Sequence, residues 1–374
     1  MELILTGKTR NLFQIPQGTE SLSLKEASTH RRITDALGEL FLSWGYFPVQ
    51  TPVFDFFDTY RPLLKSASIE KVYRLIDREG DLLMLRSDVT LFLAKQMGLS
   101  LKAKDLPVRV CYADSILRHQ DREDISHNEF FQVGVELIGK DGLHGDLEIL
   151  MLLISTLELL ELSEAVIHVG SRALFRCCFG WVLDTGGFEE LEKIIMSRNW
   201  LNFTEFLHGV DIKSPEIALY KKIFSFIGSD LEFRELRKEI SAAGLLPAEA
   251  LEPLDYLEEL LASIKAMKPA ARMRADLSEI GGQPYYTGIV FRGYLPGLDS
   301  AAAFGGRYNN LLDFFGFNAP SVGFSILLRK IESRIGGLER FAVKEEIVKV
   351  KENNFIEAYA KAEALRKNGK IVIL

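Results

Sequence analysis

Strands joined by turns and loops, rather than by helices, constrain this chain more than any other feature. In KVYRLIDREGDLLMLRSD, two short β-rich runs are separated by Arg78-Glu79-Gly80, which is a hairpin signal. PVRVCYADSILRH (107–119) and NEFFQVGVELIG (128–139) read as two further strands on either side of a charged loop. Strand character returns in ARMRADLSEI (271–280), PYYTGIVFRGY (284–294) and SAAAFGGRY (300–308), the last of which is expected to run into a helix. SVGFSILLRKIES (321–333) reads as a closing helix. Helices are grouped and do not alternate with the strands. That order predicts an α+β fold, an antiparallel sheet flanked by helices, and not a doubly wound parallel sheet.

Residues 25–45 have Ile33, Leu37, Leu40, Phe41 and Trp44 at helical spacing and stop at Gly45. YFPVQTPVFDFF follows as an extended segment in which Pro48 and Pro52 forbid helix. Helices are expected over 91–98 and 145–161, with a short strand at AVIHVG. From about 181 to 268, charged and apolar residues recur at helical spacing, and Ser214-Pro215-Glu216 is a helix start. This predicts an all-helical insertion within a core of residues 1–335. Residues 336–374 read as a charged linker followed by a short tail, FIEAYAKAEALRKNGKIVIL, with one helix, a stop at Gly369 and an apolar strand.

A chain of 374 residues with 47% hydrophobic and 26% charged residues has the composition of a globular protein. Its net charge of −7 argues against a large nucleic-acid footprint. Three cysteines, two of them adjacent in an apolar run, cannot form a disulfide framework and point to a reducing compartment. No cysteine–histidine spacing resembles a zinc site, and neither metal nor cofactor is expected. MELILTGKTRNLF lacks the marks of a signal peptide. The most apolar stretch, LEILMLLISTLELLEL, carries Glu148, Glu158 and Glu161 and is too short to span a bilayer. A cytoplasmic location without membrane attachment is the expectation.

LRHQDREDISHNEFFQVGVELIG (117–139) carries the chemistry. Gln132 and Glu136 project from an otherwise apolar strand. Glu136, between Val135 and Leu137, must face either solvent or a polar cavity. The loop before it should grip an anion, yet Asp121, Glu123 and Asp124 crowd around Arg118.

Four segments in register resemble the catalytic core of class II aminoacyl-tRNA synthetases, and within that class histidyl-tRNA synthetase, over residues 5 to about 335. FLSWGYFPVQTPVFD is similar to motif 1, with its proline at Pro52, and LLMLRSDVTLFLAKQ follows. The stretch 117–139 is similar to motif 2. PYYTGIVFRGY and AAAFGGRYNNLLDFFGFNAPSVGFSILLRKI resemble the histidine-binding segment and motif 3. The resemblance implies a histidine pocket. Thr90 stands near the ligand's amino group, Asp88 replaces a glutamate of similar role, and Gln132 and Glu136 hold the amino acid and its imidazole. Tyr285 and Tyr286 match the paired tyrosines of the histidine loop. Alone, Gln132 or Thr90 on a strand is more often surface decoration, and two tyrosines are more often core.

Amino-acid activation also needs cations on the phosphates of ATP. Arg118 stands at the motif 2 arginine. The acid–arginine pair that follows it in the family is Gln120 and Asp121 here, and two later arginines are Ser126 and Asn128. The arginine before the paired tyrosines is Gly281. The closing arginine of motif 3 is Lys330, with Leu327 in place of a glycine. One such contact is worth on the order of 10²–10³ in rate, so no catalytic residues are expected. The tail is too short for the folded anticodon-binding domain of a synthetase and resembles a vestige of one.

A core of this kind, without the ATP cations or an anticodon domain, resembles the regulatory subunits of ATP phosphoribosyltransferase. That resemblance implies a short-form catalytic subunit as partner in the first step of histidine biosynthesis. Histidine is then the feedback effector, bound at Asp88, Thr90, Arg118, Gln132, Glu136, Tyr285 and Tyr286. It also implies a homodimer within a hetero-oligomer and no tRNA partner. Two other readings stay open: a shortened synthetase paralogue that activates an amino acid for a non-tRNA acceptor, and an amino-acid sensor with another partner.

Overall fold

The computed structural model describes residues 16, 18–19, 21–119, 128–210, 212–341, 347–350, 355–368 and 370–373. The chain divides into two compact units, one of residues 1–21 and 36–336 and the other of residues 22–35 and 337–374. The strands are β1 (Phe47–Pro48), β2 (Phe54–Phe56), β3 (Arg74–Ile76), β4 (Leu82–Leu85), β5 (Val108–Leu117), β6 (Glu129–Ile138) and β7 (Val166–Ser171). There follow β8 (Ile227–Gly228), β9 (Met273–Asp276), β10 (Ile289–Tyr294), β11 (Ala303–Arg307), β12 (Ser321–Leu327), β13 (Ile347–Lys349) and β14 (Ile371–Ile373).

The larger unit is built on a nine-stranded sheet in the order β1-β5-β6-β12-β11-β10-β7-β9-β8. Pairing is antiparallel without a break from β5 to β7. The expected antiparallel sheet flanked by helices is present, with parallel pairing added at β1–β5 and at β7–β9. Between Arg172 and Met267 the chain is helical except for β8 and short turns. Phe175, Phe179, Phe203 and Phe224 meet there at ring separations of 5.4–6.4 Å.

The stretch 321–327, expected as helix, is β12, and all seven of its residues are buried. A short apolar run covered on both faces has no periodicity to separate strand from helix. Helix follows only in two single turns, α-helical at Leu328–Ile331 and 3-10 at Glu332–Arg334. Likewise, the run after β11 forms one 3-10 turn at Asp313–Phe315 and not the expected helix.

Helix Val89–Ser100 positions the site. Asp88 caps its first turn, its side chain accepting a hydrogen bond from the Thr90 amide at 3.0 Å. Residues 89–94 of the helix are all buried, as befits a helix apolar around its whole circumference. Phe92 stacks on Tyr60 at 4.7 Å. Helix Leu143–Leu159 is pinned to the sheet by a buried ion pair, Arg307 Nη2 to Asp146 Oδ1 at 2.6 Å.

The smaller unit contains helix Phe355–Lys367 and the parallel pair β13–β14, around Val350, Ala358, Ala362 and Val372. Among the described residues no helix is long and apolar enough to cross a membrane.

Candidate functional site

Glu136 sits in the middle of β6 and is 1% exposed. It faces inward because the pleat of β6 places Gln132, Gly134 and Glu136 on one side of the sheet. Thr90, in the first turn of helix Val89–Ser100, donates from Oγ1 to its Oε1 at 2.7 Å. Tyr308, just beyond β11, donates its hydroxyl to Oε2, and Tyr112 of β5 approaches Oε1 at 3.4 Å. Burial raises the Glu136 carboxyl to about 8, against the hydrogen bonds from Tyr308 and Thr90, and the Asp88 charge adds to the rise. The neighbouring strand makes room for it. Gly323 of β12 lies opposite Glu136, and a Cβ there would stand 1.6 Å from Oε2.

Asp88 uses its other oxygen, Oδ2, to accept from the Tyr285 hydroxyl at 2.9 Å. Gln132 accepts from the Val89 amide at 3.3 Å and donates to Ser325 Oγ of β12 at 3.1 Å. Tyr286 packs beside Tyr285, with ring centroids 5.1 Å apart. The chain turns into these tyrosines at Gly281, which has φ +79° and whose Cβ would meet the Tyr286 ring at 2.6 Å.

Arg118, at the end of β5, lies over the Phe130 ring at 5.5 Å. Its Nε is buried and has no hydrogen-bond partner among the described residues. Burial depresses its pKa, against the pull of Asp88 and Tyr285. A buried guanidinium nitrogen without an acceptor is costly, and a bound anion would satisfy it.

All seven residues anticipated from the sequence, Asp88, Thr90, Arg118, Gln132, Glu136, Tyr285 and Tyr286, line one cavity of about 190 Å³. A cavity of about 150 Å³ accommodates benzene, so this one is the size of a single small ligand. Its lining combines the carboxyls of Asp88 and Glu136 with the Arg118 guanidinium and several hydroxyls. Sequence reasoning missed Tyr308, Tyr112, Ser325 and Arg292. Tyr308 directly follows the FGGR run of β11, and Tyr112 and Ser325 lie near Gly134 in the strand registers, a relation that no linear spacing reveals. Arg292 also lines the cavity and pairs Glu279 at 3.0 Å.

The positions that the resemblance assigns to ATP binding in a synthetase make other contacts here. Lys330 pairs Asp299 at 2.9 Å and donates to Ser300. Leu327 is buried at the end of β12 opposite Gln132. The Asn128 amide donates to the Gly18 carbonyl at 2.8 Å. Gln120, Asp121, Glu123, Asp124 and Ser126 lie outside the described residues. Among the described residues no cluster of His, Cys, Asp or Glu is arranged to hold a metal ion.

The sheet and this acid-centred cavity define a class II aminoacyl-tRNA synthetase core of the histidyl type. The histidyl-tRNA synthetase family model matches residues 18–331. A histidyl-tRNA synthetase from Nostoc sp. shares the fold, with a TM-score of 0.75 over 96% of this chain and 85% of that one, at 20% identity. A solved structure from Bacillus halodurans, described as an ATP phosphoribosyltransferase regulatory subunit/histidyl-tRNA synthetase, has a TM-score of 0.83 at 25% identity, over 97% of this chain and 92% of that one. The ATP phosphoribosyltransferase regulatory subunit of Clostridium kluyveri is 30% identical over 364 residues, 95% of this chain and 91% of the relative. The chain belongs to the family of ATP phosphoribosyltransferase regulatory subunits.

Proposed function

We propose that this protein is a non-catalytic subunit that activates a short-form ATP phosphoribosyltransferase and transmits feedback inhibition by histidine, in the first step of histidine biosynthesis. Besides family membership, one observation carries the reading. One cavity the size of a small ligand is lined by two carboxyls and by a buried arginine whose Nε lacks an acceptor among the described residues. A free amino acid is the complement of that arrangement. Its carboxylate satisfies Arg118, and its ammonium and imidazole meet Asp88, Glu136 and the tyrosine hydroxyls. A cationic group arriving at Glu136 draws its carboxyl back towards the ionised form. The replacement of ATP-binding arginines by Gly281 and by Lys330, which is engaged by Asp299, supports the absence of catalysis. Cys111, Cys177 and Cys178 are free thiols, in keeping with the cytoplasm.

The reading also assigns a homodimer within the hetero-oligomer and no tRNA partner. Histidine acts through its differential affinity for two states of the complex. The test is turnover of the reconstituted complex against histidine concentration, wild type beside Glu136→Gln. The expected result is a variant that still activates the catalytic subunit but needs at least about tenfold more histidine for inhibition, the cost of a charged hydrogen bond. An unchanged inhibition curve would place the effector elsewhere. Histidine-dependent pyrophosphate exchange by the purified subunit would instead favour the shortened-synthetase reading.

A further inference from the structure

A second cavity, of about 340 Å³, lies beyond β10 and is lined by His168, Met196, Arg198, Ser278, Glu279, Arg292 and Tyr294. Its acids are already spent. Asp276 Oδ1 accepts from the amide and hydroxyl of Ser278 at 3.1 and 2.6 Å, and Oδ2 pairs His168 Nδ1 at 2.7 Å and Arg198 Nη2 at 2.8 Å. Glu279 Oε1 accepts from the Tyr294 hydroxyl at 2.5 Å, and Oε2 pairs Arg292 Nε at 3.0 Å. All four carboxylate oxygens are therefore engaged. An arginine carries five N–H groups, so the guanidiniums of Arg198 and Arg292 keep donors for a further acceptor.

The backbone adds an independent sign. Arg198 stands between helix Thr185–Met196 and helix Trp200–His208 with φ +54°. Helix ends of this left-handed kind normally take glycine, because a side chain is disfavoured there. An arginine held in such a conformation reads as a functional choice. On β10 and β7, Arg292 and His168 are direct cross-strand partners, which brings both side chains to the same face beside the cavity.

We propose that this cavity is a second ligand site, binding a small oxyanion, a carboxylate or phosphate group, between Arg198 and Arg292. His168, Tyr294 and Met196 complete the lining and offer a surface for a compact organic body. The charges of Arg198 and Arg292 balance those of Asp276 and Glu279, so a ligand head is held by the remaining guanidinium N–H groups.

The test uses the full-length protein labelled at the methionine methyls with ¹³C; there are seven methionines, and Met196 is assigned with Met196→Leu. Inorganic phosphate and acetate are titrated separately against a chloride control of equal ionic strength. A saturable shift of the Met196 methyl with either probe is expected, and the stronger probe identifies the chemistry. Arg198→Gly, in which relief of the left-handed backbone offsets part of the lost ion pair to Asp276, should weaken the anion about tenfold or more. Arg198→Met, which keeps the stem of the side chain, should weaken it equally. No saturable shift with either probe would overturn the proposal, as would unchanged affinity in both variants.

Discussion

Glu136 shows how much one buried carboxyl can govern. Its partners, Thr90, Tyr308 and Tyr112, come from three separate elements, and none of them offsets the loss of water completely. The folded carboxyl, raised to about 8 by burial, therefore holds its proton over a range in which the unfolded chain has lost it. In that range the folded state binds more protons than the unfolded one, so stability falls as pH rises from about 4.5 to 8 and levels off beyond. Glu136→Gln removes this titration. Melting curves should show wild type losing stability across that window, on the order of a few kcal/mol, while the variant changes much less. Parallel curves for the two proteins would mean that the carboxyl is ionised throughout.

At the scale of elements, helix Leu143–Leu159 is tied to the sheet and its margin by charge as well as by apolar packing. Glu148 pairs Arg109 of β5 at 2.6 Å and Lys140 at 2.9 Å, and accepts from the Tyr46 hydroxyl at 3.0 Å. Burial works against its charge, but these three partners outweigh burial and hold the carboxyl down to about 2. Its contribution is complete above about 4.5 and is lost as pH falls towards 2. Glu148→Gln should cost about 1–2 kcal/mol at neutral pH, allowing for screening at a partly exposed site. The gap between the two unfolding curves should close in acid. A gap independent of pH would show that the ion pairs contribute nothing. β12 adds a steric test. Gly323→Ala should displace Glu136 and destabilise the chain by about 1–3 kcal/mol, and Glu136→Ala in the same chain should recover part of that loss. If the double variant is no more stable than Gly323→Ala alone, the contact is not the cause.

For the whole molecule, the outer strands leave large apolar side chains in water. Phe47, Val53, Phe54, Phe56 and Ile76 are each at least half exposed. Such a surface fits the homodimer proposed above, with an interface on the order of 2,000 Å² or more if it is obligate. Sedimentation at micromolar concentration should find a dimer, and Phe54→Lys should shift it towards monomer. A wild-type monomer would count against the assignment.

Much of this protein was legible one residue at a time. The hairpin around Gly80, helix Val89–Ser100, the long pair β5–β6 and helix Leu143–Leu159 follow from local pattern, because apolar period and turn residues act over a few positions. The seven cavity residues were legible through likeness to a family whose motifs keep their order. Other features depended on assembly. β12 became a strand only because both of its faces are covered, and β1 and β9 pair in parallel because the chain returns to the sheet from a distance. Tyr308 and Ser325 reach the cavity, and Tyr112 reaches Glu136, through strand register and chain turns, which couple residues far apart in sequence. The elevated Glu136 carboxyl and the burial of the Arg118 guanidinium were likewise decided by tertiary structure, since burial is a property of what surrounds a group and not of its neighbours along the chain.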